Sequence, residues 1–124
     1  MPVSLGVALG GALGALARYG LDHLIERRSD SVFPWSTFAI NVSGCLLIGV
    51  AISALVDRHD TPPWLRVGLV VGVLGGYTTF STFAQETLDL LEAEQVGYVL
   101  LYAVGSLVAG VAAVFVGSRV GRLL

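Results

Sequence analysis

Four stretches of the chain carry no charged side chain: residues 1–17, 31–56, 67–85 and 95–118. A helix crosses a bilayer with about 20 mostly apolar residues, and these runs match that length. Polar segments at 22–31, 57–63 and 86–94 separate them. The pattern predicts an all-α membrane protein. Its single four-helix transmembrane domain would have spans at about residues 3–21, 33–56, 64–85 and 96–118. Pro34 falls in the first turn of the second span, where its missing N–H costs nothing. Phe33 and Trp35 beside it stand where an interfacial aromatic belt is expected. Pro62 and Pro63 before Trp64 read as a stop and a new start. There is no internal repeat and no linker.

Composition sharpens this picture. Only 13% of the residues are charged, against about 25% in soluble domains, which excludes a soluble globular enzyme. The net charge of −2 leaves no basic patch for nucleic acid. Cys45 is the only cysteine, so no intrachain disulfide forms. No His, Asp or Glu cluster has transition-metal spacing, and no nucleophile has a base beside it in sequence. His23 and His59 fall in loops. Glu86 and Asp89 follow the third run near the membrane edge, so no carboxylate lies deep in a span. These features point away from an enzyme. Ala15-Leu16-Ala17 mimics a signal-peptidase site, but the first run is long enough to stay as a span and three more follow.

Small residues recur every fourth position. Gly6, Gly10 and Gly14 do so in the first span, Gly68, Gly72 and Gly76 in the third, and Gly105, Ala109, Ala113, Gly117 and Gly121 in the fourth. In lipid this spacing lets helix backbones approach closely. It serves either a tight oligomer or packing within one four-helix unit.

The middle of the third span is the most informative place. Gly75 and Gly76 precede Tyr77, then Thr78, Thr79, Phe80, Ser81, Thr82 and Phe83. Glycine weakens a helix, and Ser and Thr compete for its backbone hydrogen bonds. We expect the helix to break near 76–79. The alternative is a continuous helix whose hydroxyls bond back to the preceding turn. Broken backbone at membrane depth must be buried in protein or line a wet cavity. A break offers carbonyls to a cation and N–H groups to an anion, as in other discontinuous spans. In the second span Asn41, flanked by Thr37 and Ser43, either lines a pore or joins two helices. Tyr102 and Ser106, four apart in the fourth span, form a polar stripe or an interhelical hydrogen-bonding pair. Arg18 at the end of the first span either snorkels to the interface or holds an anion vestibule.

Three segments carry a resemblance. They are Gly10-Gly11-Ala12-Leu13-Gly14-Ala15-Leu16-Ala17-Arg18-Tyr19, Trp35-Ser36-Thr37-Phe38-Ala39-Ile40-Asn41-Val42-Ser43-Gly44, and Gly75-Gly76-Tyr77-Thr78-Thr79-Phe80-Ser81-Thr82-Phe83. Together they resemble the Fluc/CrcB fluoride channels, whose length and four spans also agree. The resemblance implies a passive fluoride exporter of the plasma membrane that relieves fluoride toxicity. It implies an antiparallel dual-topology dimer, either of identical chains or of paired homologues, with two pores lined by both subunits. Phe80 and Phe83 match the phenylalanines whose ring edges face the ion, and Asn41 matches the pore-lining amide. Tyr102 and Ser106 match polar positions of the fourth span, while Thr79, Ser81, Thr82 and Glu86 fall on or near a polar track. The carbonyls of Gly75 and Thr78 match a central structural sodium site. Gly110 stands where another small hydroxyl is expected.

The charge pattern suits two orientations. By alternating spans, Arg18, Arg27 and Arg28 face one side, and Arg58, Arg66, Arg119 and Arg122 the other. Basic residues collect on the cytoplasmic side, and three against four is nearly no bias. Two other functions compete with this one. A small proton-coupled multidrug exporter resembles a design with an acid in the first span, and here none precedes Asp22. A non-transporting membrane assembly subunit explains the glycine stripes but not the Thr-Phe-Ser-Thr-Phe run.

Overall fold

The computed structural model describes residues 1–56 and 60–124. The expectations resting on Asp57, Arg58 and His59 lie outside the described residues. The chain forms α1 (Val3–Glu26), α2 (Trp35–Ala51), α3 (Pro63–Val67), α4 (Gly75–Tyr77), α5 (Phe80–Glu92) and α6 (Val96–Gly121). Ile52–Val56 prolongs α2 as a π-helix, and Gly68–Leu74 joins α3 to α4 in the same way. Among the described residues, four helices are long and apolar enough to cross a membrane: Val3–Glu26, Trp35–Leu55, Pro63–Glu92 and Val96–Gly121. The chain is a multi-pass membrane protein.

The helices overrun the apolar stretches that predict them. Helix α1 continues past residue 21 to Glu26, because a helix needs an unbroken hydrogen-bond ladder rather than apolar side chains. The third span likewise continues through the acidic segment to Glu92. It stops where Gln95 N donates to Leu90 O (2.9 Å) and Glu94 N to Leu91 O (3.0 Å), with Glu94 left-handed at φ 58°. That is a helix-ending motif usually built on glycine.

Two local expectations are corrected. Pro34 lies at the cap of α2, immediately before its first residue. Phe33 is turned into the protein rather than out toward its surroundings. It is 5% exposed and meets the Tyr102 ring edge-on at 5.4 Å. The Ser31 hydroxyl accepts from Phe33 N (3.2 Å) and Phe33 O accepts from Trp35 N (2.8 Å), which turns the segment back over α6. Trp35 stays half exposed.

The glycine stripes pack inside one chain. Helix α1 lies along the first half of the third span, and α2 along α6. A Cβ on Gly72 would stand 2.8 Å from Val7 O, and one on Gly76 would stand 2.6 Å from Gly11 O. Gly10 and Gly14 lie equally close to the backbone of Gly68 and Val73. On the other pair, Gly117 and Gly121 rest on the backbone of Leu46 and Val50. Only backbone fits at these separations, so the contact is van der Waals packing between helix cylinders. Gly105 is different, with open space where its side chain would be.

Candidate functional site

The third span stops at Tyr77 and restarts at Phe80, with Thr78 and Thr79 extended between them. The break is built from side chains that replace the lost ladder. Thr78 donates both its amide (3.0 Å) and its hydroxyl (2.9 Å) to Leu74 O. Thr79 N donates to Asn41 Oδ1, and Asn41 Nδ2 donates to Thr79 O, both at 2.9 Å. Thr79 also caps α5, its hydroxyl accepting from Thr82 N at 3.2 Å. Such a cap contributes about 1 kcal/mol. The same hydroxyl donates to Thr82 Oγ1 at 3.0 Å. On the near side, Tyr77 OH and Ser43 Oγ meet at 2.8 Å.

The carbonyls are treated unequally. Gly76 O accepts from Arg18 Nε at 3.1 Å. The amides that would have served Gly75 and Thr78 in an unbroken helix are those of Thr79 and Thr82, and both are diverted. Gly75 and Thr78 therefore keep carbonyls with no donor among the described residues, as does Tyr77 between them.

One turn beyond Phe83, Glu86 is gripped from two helices. Thr37 Oγ1 donates to Glu86 Oε1 (2.8 Å), and Tyr102 OH donates to Glu86 Oε2 (2.6 Å). Both donors are buried. Beside them the Ser36 hydroxyl donates to the Asp22 carboxylate, tying α2 to α1. The Phe83 ring packs on Tyr102 with centroids 4.8 Å apart. Phe80 stands 5.8 Å from Phe83 and is 79% exposed.

Between α2, α5 and α6 lies an open, mainly apolar cleft of about 630 Å³, lined by Asn41, Gly75, Thr78, Phe80, Phe83 and Ser106. Thr79 also borders it. Ser106 Oγ is buried with no partner among the described residues. Thr82, Glu86 and Tyr102 lie outside the lining of the cleft: Thr82 and Glu86 follow along α5, and Tyr102 is fully buried on α6. Ser81 lies outside it too, exposed, with its hydroxyl 3.4 Å from that of Thr79. Arg18 reaches the break from the α1 side. Cys45 fills the place opposite Gly110, 3.3 Å from where a Cβ there would be.

Thr37 stands out in the sequence only as a neighbour of Asn41. The signal was present: Thr37 and Asn41 are four apart on one helix face, as are Thr82 and Glu86. Nothing in the spacing of Asp22 and Ser36 announces their hydrogen bond.

Comparison with known sequences fits this architecture. The sequence model of one family, described as "CrcB-like protein, Camphor Resistance (CrcB)", matches residues 5–118. A protein of Acidobacterium capsulatum named "Fluoride-specific ion channel FluC" is 50% identical over 118 residues, covering 95% of this chain and 94% of its own. A Thermus thermophilus protein of the same name is 48% identical over the same shares of both chains. One from Nitratidesulfovibrio vulgaris is 45% identical, over 95% of each chain.

Proposed function

Since this chain belongs to the CrcB family, we propose that it is a passive fluoride-specific channel of the plasma membrane that lets cells shed toxic fluoride. The observation that carries this reading is the interrupted third span, where Asn41, Phe80, Phe83 and Ser106 gather around one open cleft. Fluoride is small and strongly hydrated, so a pore must replace its water with donors that do not trap it. Hydroxyl and amide groups do this, and a phenyl ring presents a positive edge to an anion. Several sites of moderate strength in series suit conduction. Ser106 Oγ, Thr79, Thr82, Tyr102 and Glu86 would continue the path from the cleft, with Ser81 at its exposed margin. Arg18 would supply positive charge on the α1 side.

The reading includes a second, antiparallel copy. The cleft is open on one side and Phe80 projects from it almost fully exposed. An apolar ring and an unpartnered buried hydroxyl at such a place suit a pore completed by another chain. Two copies would make two pores. The exposed Gly75 and the near-balanced arginines agree with this arrangement.

A structural sodium ion fits the donor set. Gly75 and Thr78 offer carbonyl oxygens without donors, and hard cations take oxygen ligands. These two residues from each subunit would hold the ion, which would supply positive charge to a low-dielectric interior. It would not be transported.

The test is fluoride efflux from liposomes containing the purified protein. We expect fluoride flux without chloride flux and without dependence on a proton gradient. Absence of fluoride flux from folded protein removes the reading.

A further inference from the structure

Gly6, Gly10, Gly14 and Arg18 follow one another at four-residue spacing, so they share one face of α1. The three glycines bring α1 into backbone contact with the third span. The fourth position carries the guanidinium to the point where that span breaks. There Arg18 Nε donates to Gly76 O at 3.1 Å, across 58 positions of sequence. A snorkelling arginine turns its head toward water; this one is half-buried and turned into the break.

We propose that Arg18 is a positioning residue. It caps the first half of the interrupted span by holding the Gly76 carbonyl, and so removes that one from the open carbonyls of the break. A helix carries about −0.5 of an elementary charge at its carbonyl end. A guanidinium against that end forms a charge-assisted hydrogen bond, the stronger kind. With Gly76 taken, the carbonyls of Gly75, Tyr77 and Thr78 stay open, and those of Gly75 and Thr78 are the ones the sodium reading assigns to a cation. This last step rests on the sodium reading above; the cap itself does not.

A cap and a vestibule charge act differently. A vestibule charge raises the local anion concentration, so its loss raises the fluoride concentration for half-maximal flux and matters less at high salt. A cap holds the geometry of the break, so its loss lowers maximal flux at any ionic strength and exposes the backbone there.

Arg18→Gln and Arg18→Lys test this against the unsubstituted protein. One arm measures amide hydrogen exchange over residues 74–82, and the other measures liposome fluoride efflux over a range of fluoride and salt. We expect exchange at the break to quicken at least tenfold in Arg18→Gln. Maximal flux should fall at least tenfold with the half-maximal concentration unchanged. Arg18→Lys, whose amine reaches the same carbonyl, should return both to within threefold. Exchange in Arg18→Gln within twofold of the unsubstituted protein overturns the proposal. So does a flux defect that appears as a raised half-maximal concentration and vanishes at high salt. If Arg18→Gln does not fold, Arg18→Lys decides alone, since quickened exchange there overturns the cap and normal exchange supports it. If the unsubstituted protein passes no fluoride, the channel reading fails and the exchange arm still decides the role of Arg18.

Discussion

The side chain of Asn41 pairs with both backbone groups of Thr79, donating to its carbonyl and accepting from its amide at 2.9 Å each. It supplies to a broken helix what a neighbouring strand would supply in a sheet. One N–H of the amide remains for anything else. Asn41→Ala leaves a half-buried amide and carbonyl unpaired, at a cost of about 2 kcal/mol or more. Asn41→Asp keeps the acceptor, loses the donor and sets a carboxylate against the Thr79 carbonyl. Both variants should melt at lower temperature in detergent and lose most fluoride flux. An Asn41→Asp protein that melts and conducts like the unsubstituted chain removes Asn41 from the break and from the pore.

Glu86 is held by two donors from two helices, Thr37 on α2 and Tyr102 on α6. Hydrogen bonds to charged groups contribute roughly 1.5–3 kcal/mol. Tyr102→Phe and Thr37→Val each remove one hydroxyl with little change of shape. We expect each to destabilise by about that amount. In a double-mutant cycle the pair should be non-additive, because the two donors share one carboxylate. Strict additivity in chemical denaturation shows that the carboxylate is not shared between them.

Phe80 and Phe83 should separate stability from conduction. Phe83 packs against the core cluster of Phe33, Leu90 and Tyr102, meeting the Tyr102 ring at 4.8 Å, so Phe83→Ile disturbs a core and should cost about 1 kcal/mol or more. Phe80 is nearly free of its own chain, so Phe80→Ile should leave the melting of the isolated subunit unchanged. Both substitutions remove a ring edge, and both should cut fluoride flux at least tenfold. Full flux in Phe80→Ile takes the exposed ring out of the mechanism.

The four spans were legible because charge is absent from them, and the break was legible because Gly75, Gly76 and the hydroxyls of 78–82 crowd together. Span ends were not, since α1 runs on through Asp22 and α5 through Asp89 with nothing to stop the ladder. The glycine stripes announced close packing without naming the partner. Distance in sequence hides that Gly10 faces Gly68. The π-helical turns at Ile52–Val56 and Gly68–Leu74 have no sequence period of their own. Among the candidate site residues, spacing of four shows only that two side chains share a helix face, as Tyr102 and Ser106 do. It does not show contacts across helices, as Arg18 with Gly76 or Ser36 with Asp22, because they depend on how the pairs of helices are set against each other.

The glycines differ sharply in what a methyl group would meet. Gly72→Ala drives a Cβ to 2.8 Å from Val7 O and 3.1 Å from Gly10 Cα. Backbone cannot yield as a side chain can, so α1 must move away from the third span. We expect a loss of several kcal/mol or no folded protein, within the range known for overpacking and its worse cases. Gly97→Ala meets nothing within 4 Å, and alanine favours a helix by up to about 1 kcal/mol over glycine. Gly97→Ala should therefore melt at the same or a slightly higher temperature. Equal behaviour of the two variants contradicts the backbone contact of α1 with the third span.

Counted from the apolar runs, Arg18, Arg27 and Arg28 fall on one side of the membrane, and Arg58, Arg66, Arg119 and Arg122 on the other; with Arg18 drawn into the break the count is two against four. Orientation follows an excess of basic residues on the cytoplasmic side, and an excess of one or two is small. The insertion machinery then has little reason to prefer either direction, and both orientations should be made. An antiparallel pair needs that outcome, because its two broken spans meet only when one chain runs opposite to the other. Labelling requires one reactive thiol. Cys45 lines the cleft within a span, so it is first replaced by serine, and Asp30, exposed in the first loop, is then changed to cysteine. In cells lacking any homologue, an impermeant thiol reagent added outside should label about half of the protein, and the remainder should label only after the membrane is opened. Adding two arginines to one loop should drive labelling toward a single side and abolish fluoride flux. Subsequent co-expression with a chain biased the other way should restore the flux. Labelling from one side alone in cells that still conduct would sink the dual orientation.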